Sequence, residues 1–294
     1  MYKVAVIGGG PAGMTSALYC VRGGADVTVY EKNMFGGQML LTNEIENYMG
    51  FGSVSGWELS ENMRIQCENA NINLINQEII DINEKTFEIQ TNEYKKYDAI
   101  IISTGATHRK LNVPGENKFN GLGVSYCATC DGNFFRNKIV CVIGGGNTAF
   151  EDAVYLSSIC QKVYLIHRNI NFKAAKIHIN KAKVTKNIEI IVNANVVSIN
   201  GNDKVENILL DNYKNIETNG IFISIGVIPQ NDLLINKFVL DKDGYLVVND
   251  KMQTNIKGIF GAGDIISKNT RQIATAVGDG AIAGVEALNY LNTL

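Results

Sequence analysis

The chain has 294 residues with 27 basic and 29 acidic side chains, a formal net charge of −2. That balance offers no positive field to a nucleic acid or an anionic membrane, so neither partner is expected. The length suits one large domain or two medium ones, no apolar run is long enough to cross a bilayer, and Met1 leads straight into a strand without a signal-like basic or apolar region. The expectation is a soluble, cytoplasmic protein.

A predicted strand over 2–7 ends in Gly8-Gly9-Gly10-Pro11-Ala12-Gly13, a G-x-G-x-x-G turn that brings a helix N-terminus to a pyrophosphate. A helix over 14–22 stops at Gly23-Gly24, and a strand over 26–30 ends in Glu31, completing one βαβ unit. A carboxylate at that strand end accepts from a ribose 2′-hydroxyl and repels a 2′-phosphate, which fits the adenosine of FAD or NAD. Leu59, Met63 and Cys67 share one face of a helix predicted over 57–69. Segments 74–82, 86–91 and 99–102 read as a small antiparallel layer and a return strand to the first sheet. Pro114 and Gly115, flanked by Asn112, Glu116 and Asn117, read as the first linker.

Cys127-Ala128-Thr129-Cys130-Asp131-Gly132 follows, with two thiols at redox-motif spacing. Such a pair closes a disulfide and passes it on by thiol exchange. A structural zinc needs four ligands, but there is no second Cys-x-x-Cys, and His108, His167 and His178 lack finger-like spacing, so no metal is expected. Asp131 is either a proton shuttle for the sulfurs or a turn residue capping a helix. Cys20, Cys67, Cys141 and Cys160 read as inert core thiols.

The nucleotide-binding pattern then repeats. A strand from Lys138 ends in Gly144-Gly145-Gly146-Asn147-Thr148-Ala149, a helix runs over 147–158, and a strand over 162–166 ends in His167-Arg168, with Phe172-Lys173 beyond. A cationic edge at that place favours NADP over NAD. Further strands are predicted over 188–192, 196–199, 205–210 and 220–225, and 231–244 is the expected second crossing. Strands over 245–248 and 258–260 and a closing helix over 273–291 need a partner sheet, which the first domain supplies most simply. The fold expected is α/β, with two Rossmann-like (three-layer ββα) dinucleotide-binding domains, the second inserted in the first. The expected boundaries are 1–112, 113–240 and 241–294.

These residues resemble the low-molecular-weight bacterial thioredoxin reductase family, class II of the pyridine nucleotide-disulfide oxidoreductases, along nearly the whole chain. The most specific element is Cys127 to Gly132 followed closely by Gly144 to Ala149. Gly36-Gly37-Gln38, Glu46-Asn47, Thr104-Gly105-Ala106, Gly261-Ala262-Gly263-Asp264 and Arg271-Gln272-Ile273 stand where that family contacts FAD. The resemblance implies a homodimeric flavoenzyme that moves electrons from NADPH through FAD to the Cys127/Cys130 disulfide and on to thioredoxin. It implies that Asp264 holds the ribityl chain, that the helix after Arg271 points its positive end at the flavin, and that the inserted domain rotates about its two linkers. It also implies that Cys130 faces the flavin and forms the transient adduct, that Cys127 attacks the partner disulfide, and that Asp131 is the acid/base residue.

One departure stands out. The family's nucleotide clamp reads His-Arg-Arg-x-x-x-Arg, whereas this chain has His167-Arg168-Asn169-Ile170-Asn171-Phe172-Lys173, and Lys173 keeps the charge without the bidentate fork. That departure keeps open a ferredoxin-linked flavin thioredoxin reductase whose second nucleotide site is degenerate. An FAD-dependent dithiol oxidase and a non-catalytic redox sensor are the remaining alternatives.

Overall fold

The computed structural model describes residues 1–42 and 44–294. Two compact units form, one from residues 1–107 with 228–294 and the other from residues 108–227.

The first unit is built on a five-stranded parallel sheet in the order Ile259–Gly261, Ala99–Ile102, Lys3–Ile7, Asp26–Glu31, Asn73–Asn76. Ala99–Ile102 is buried throughout, as an uninterrupted Ala-Ile-Ile-Ile run requires when both sheet faces are covered. One face packs on helices Pro11–Arg22, Gly56–Asn69 and Ile273–Leu291, through a core that includes Met14, Leu59, Ala276 and Ala283. Leu59 and Cys67 are buried on the predicted face of the second of these helices, and Ser55 caps it by accepting from Glu58 N at 3.0 Å. The last helix matches its expected span, and its sheet partner Ile259–Gly261 pairs in parallel with Ala99–Ile102, so the chain does return to the first sheet. No helix among the described residues is long and apolar enough to cross a membrane.

The second unit repeats the plan, with a parallel sheet in the order Ile188–Val192, Lys162–His167, Ile139–Ile143, Gly220–Ile223, Val124–Ser125. In both sheets the fingerprint strand lies between its βαβ partner and the return strand. The turn beyond its carboxyl end therefore stands where strand order reverses, the place at which open α/β sheets bind ligands.

Several sequence expectations need correction. Segment 74–82 is two elements, because Asn73–Asn76 extends the parallel sheet while Asp81–Asn83 joins an antiparallel layer with Glu88–Gln90 and Tyr94–Lys96. Segment 245–248 forms no strand: Leu246 makes only single bridges, to Leu240 and Ile266. The stretch around Pro114 is no linker. Glu116 is 2% exposed and accepts from Leu111 N, Asn112 N and Tyr126 Oη, which folds the turn into the second unit. The chain divides instead at 107/108 and 227/228, beside the paired strands Ala106–His108 and Val227–Pro229. Residues 228–240, expected in the inserted domain, belong to the first unit, where Leu234 and Phe238 fill its core.

Candidate active site

The two glycine turns solve one steric problem in the same way. A Cβ on Gly8 would lie 2.2 Å from Ser103 O, and a Cβ on Gly144 would lie 2.3 Å from Ser224 O, so in each unit the turn presses onto the end of the return strand. Both glycines also have positive φ, 109° and 156°. Next to them, Gly10 and Gly146 have no atom near a would-be Cβ, which leaves open space at the N-caps of helices Pro11–Arg22 and Asn147–Ser157. Pro11, Ala12 and Gly13 form the first turn of one helix, and Asn147, Thr148 and Ala149 that of the other. Backbone donors at a helix N-terminus suit a pyrophosphate.

Glu31 is the last residue of its strand, and its carboxylate accepts from Gly9 N at 2.7 Å and Asn33 N at 2.9 Å. It is thereby fixed at the mouth of the first turn. Other expected residues of the first unit are brought together in pairs. Gln38 donates to Ala106 O at 2.5 Å, and Asn47 donates to Gln272 Oε1 at 3.2 Å. Thr104 donates to Gln230 O at 2.7 Å, and Gly105 O accepts from Gln230 N at 2.9 Å. Gly37 opens a short 3-10 turn over Gly37–Leu41 and lies against Gly10. Gln272 caps the helix that Ile273 begins, in a reciprocal capping box with Thr275.

Gly263 approaches Ala12, and beside it Asp264 Oδ1 is buried without a hydrogen-bond partner among the described residues. Burial raises the Asp264 carboxyl above its ordinary range, against the lowering effect of Lys268 and Arg271. Arg271 donates to the carbonyls of Asp264, Lys268 and Ile266 and lies over the Tyr245 ring at 3.9 Å. Its observed contacts tie down the loop around Asp264.

In the second unit the His167 ring sits where a Cβ on Gly145 would fall and packs on Phe172 at 5.5 Å. Burial lowers its pKa, Asn171 O opposes this, and Arg168 and Lys173 reinforce it. Lys173 N donates to Gly145 O at 2.9 Å, and Asn147 Oδ1 accepts from Ala175 N at 2.8 Å, so the segment after the strand folds back over the turn. The Arg168 and Lys173 side chains are exposed.

Sequence reasoning missed Asp152, an acid beside Glu151 on the helix after the second turn, which accepts from Ser224 Oγ at 2.5 Å. Burial raises its carboxyl from 3.8 to about 6, Ser224 opposes this and Glu151 adds to it. A raised carboxyl pKa means that the folded chain favours the protonated acid. Its contribution to stability is whole below about pH 4 and fades as pH rises toward about 6. Asp152→Asn keeps an acceptor for Ser224 without the titration. Its melting temperature, followed by circular dichroism, is expected to gain on wild type from about pH 4 to about pH 7. A constant difference across that range would refute the assignment.

Cys127 and Cys130 form a disulfide with Cα atoms 5.3 Å apart. Cys127 is the N-cap of the short helix Ala128–Asp131, with its sulfur 3.5 Å from Thr129 Oγ1. Ser125 is a second residue that no motif announced. Its hydroxyl donates to Asp131 Oδ2 at 2.6 Å and accepts from Cys127 N at 3.1 Å, which links the acid to the dithiol loop. Burial raises the Asp131 carboxyl, and the Ser125 bond opposes that rise.

Two pyrophosphate-ready turns and a disulfide in one chain define a dinucleotide-dependent disulfide oxidoreductase. The chain belongs to the pyridine nucleotide-disulphide oxidoreductase family, which matches residues 2–280. It is 40% identical over 303 residues to a thioredoxin reductase of Listeria monocytogenes, covering 100% of this chain and 95% of that one. The crystal structure of a thioredoxin reductase from Streptococcus pyogenes is similar, with a TM-score of 0.95, 39% identity, and coverage of 100% of this chain and 99% of the other. A ferredoxin-flavin thioredoxin reductase from Clostridium acetobutylicum gives a TM-score of 0.55 at 32% identity, covering 100% of this chain and 99% of that one.

Proposed function

We propose that the chain is a thioredoxin-disulfide reductase that uses FAD and NADPH and acts through the Cys127–Cys130 disulfide. The observation that carries this reading is the disulfide itself, closed in a chain that bears two glycine turns of matching build. FAD, when bound, supplies the two-electron carrier between the nicotinamide and the disulfide.

The residues present fit FAD in the first unit. The open turn at Gly8, Gly10, Pro11, Ala12 and Gly13 takes the pyrophosphate, Glu31 the ribose, and the Asp264 oxygen that accepts no hydrogen bond among the described residues takes a ribityl hydroxyl. Gly37, Gln38, Asn47, Thr104, Gly105, Ala106, Gly263, Arg271, Gln272 and Ile273 build the surrounding wall. NADPH belongs to the second unit, with Gly144, Gly146, Asn147, Thr148 and Ala149 at its pyrophosphate and His167, Arg168 and Lys173 at the 2′-phosphate.

Thioredoxin is reduced by two exchanges. The Cys127 thiolate attacks a sulfur of the partner disulfide, forming a mixed disulfide and releasing one partner thiolate. Cys130 then attacks Cys127 Sγ, releasing the second partner thiolate and closing the Cys127–Cys130 bond. Each released thiolate takes a proton, one of them from Asp131. We further read the enzyme as a cytoplasmic homodimer.

Arg168→Ala and Lys173→Ala are each expected to raise the KM for NADPH about tenfold with little change in kcat, the loss of one charge-assisted phosphate contact. Unchanged KM values in both would remove NADPH from this site. A second reading is favoured by Asn169, an exposed amide where the family has an arginine: a ferredoxin-linked enzyme. Anaerobic titration separates the two. Bleaching of the flavin by micromolar NADPH supports the first, and bleaching only by reduced ferredoxin supports the second.

A further inference from the structure

Lys268 is nearly buried, yet the family motifs give it no role. Its side chain is 14% exposed, as is that of Asp279. Its ammonium lies 2.6 Å from Asp279 Oδ2, 3.4 Å from Thr275 Oγ1 and 3.5 Å from Asp264 Oδ1. Asp279 is itself fixed, since the same oxygen accepts from Gly263 N at 3.3 Å. The hydrogen bonds of Lys268 thus run to helix Ile273–Leu291, while its charge still faces Asp264. The other ionisable groups near Asp264 do not fill its free oxygen. Arg271 is spent on backbone carbonyls, and the Tyr245 ring lies beneath Arg271. The outcome is a carboxylate whose buried Oδ1 faces the Lys268 ammonium at the long distance of 3.5 Å and takes no well-formed hydrogen bond among the described residues.

We propose that Lys268, anchored on Asp279, is a positioning residue for the flavin: it balances the charge of Asp264 without occupying the oxygen that a ribityl hydroxyl takes. This rests on the reading that Asp264 holds the FAD chain. Burial already favours the protonated acid at Asp264, and Asp279 adds to this, while Lys268 and Arg271 oppose it. Removing the Lys268 cation lets Asp264 protonate at higher pH. A neutral acid is a weaker acceptor for a hydroxyl than a carboxylate.

The test is FAD binding to apoprotein, read by quenching of flavin fluorescence from about pH 4 to about pH 9, since a raised carboxyl loses its charge at higher pH than an ordinary one. Lys268→Met is expected to weaken FAD about tenfold at the acid end of the range and less at the alkaline end, with the fall in affinity starting at higher pH than in wild type. Lys268→Arg restores the profile. Asp264→Asn is expected to bind FAD weakly at every pH. If Asp264→Asn binds like wild type, the reading of Asp264 itself fails. If Asp264→Asn is weak while Lys268→Met follows the wild-type curve, the role of Lys268 fails and the reading of Asp264 stands. Should Lys268→Met not fold, Asp279→Asn decides. It frees the ammonium to occupy the Asp264 oxygen, so FAD affinity falls while the pH limb moves down, and unchanged affinity overturns the proposal.

Discussion

Cys130→Ser is expected to abolish thioredoxin reduction while leaving NADPH able to bleach the bound flavin. Thiol exchange through a mixed disulfide needs a second sulfur to resolve it, and a serine hydroxyl cannot close the Cys127–Cys130 bond. Thioredoxin-dependent consumption of NADPH should fall to the uncatalysed background, whereas anaerobic bleaching of the variant's flavin should persist, since the nucleotide turn at Gly144 and Gly146 is untouched. Retained turnover would take Cys130 out of the reaction. Loss of both readouts together with loss of bound FAD would show that the substitution had damaged the fold instead.

Asp131→Asn carries the second large effect, a fall in kcat/KM for thioredoxin of about 10² to 10⁴, the usual worth of a positioned proton donor. The direction of the pH profile follows from the site. Burial raises the Asp131 carboxyl, so the protonated acid survives to higher pH than an ordinary aspartic acid and is lost as pH climbs through that raised value. The wild-type profile should therefore carry a limb that declines with rising pH, and the variant should lack it. Ser125→Ala sharpens the test. The Ser125 hydroxyl holds the Asp131 pKa down, so its removal should shift the limb upward in pH without abolishing turnover. A variant at 131 with wild-type kcat/KM would reduce Asp131 to the helix-end residue that its position also allows.

Much of the architecture was readable because the strands are apolar runs ended by glycine turns. Gly8 to Gly13, Gly144 to Ala149, Glu31 and the closing helix all lie where their patterns put them. The failures have physical causes. Pro114 and Gly115 have the composition of a linker, but the buried Glu116 carboxylate collects three donors from Leu111, Asn112 and Tyr126, a side-chain clasp that turn composition does not reveal. The helix Lys176–Val184 escaped notice because its isoleucines at 177 and 179 alternate like a strand, and Ala182 is its one buried residue. In the site itself, residues inside a motif could be named in advance. Ser125, Asp152, Lys268 and Asp279 could not, because each is a single polar side chain whose importance comes from a neighbour distant in sequence or from burial.

Four of the six cysteines are sealed into the two cores. Cys20 and Cys67 spend their S–H groups on the carbonyls of Gly284 and Met14, and burial pushes their thiols up to about 12 and about 11. Cys141 and Cys160 are raised to about 12 and about 11 in the same way. At neutral pH these four have almost no nucleophilic anion to offer, so thiol chemistry on this chain is confined to the Cys127 and Cys130 pair. An enzyme that handles disulfides for a living is thereby insulated from scrambling its own.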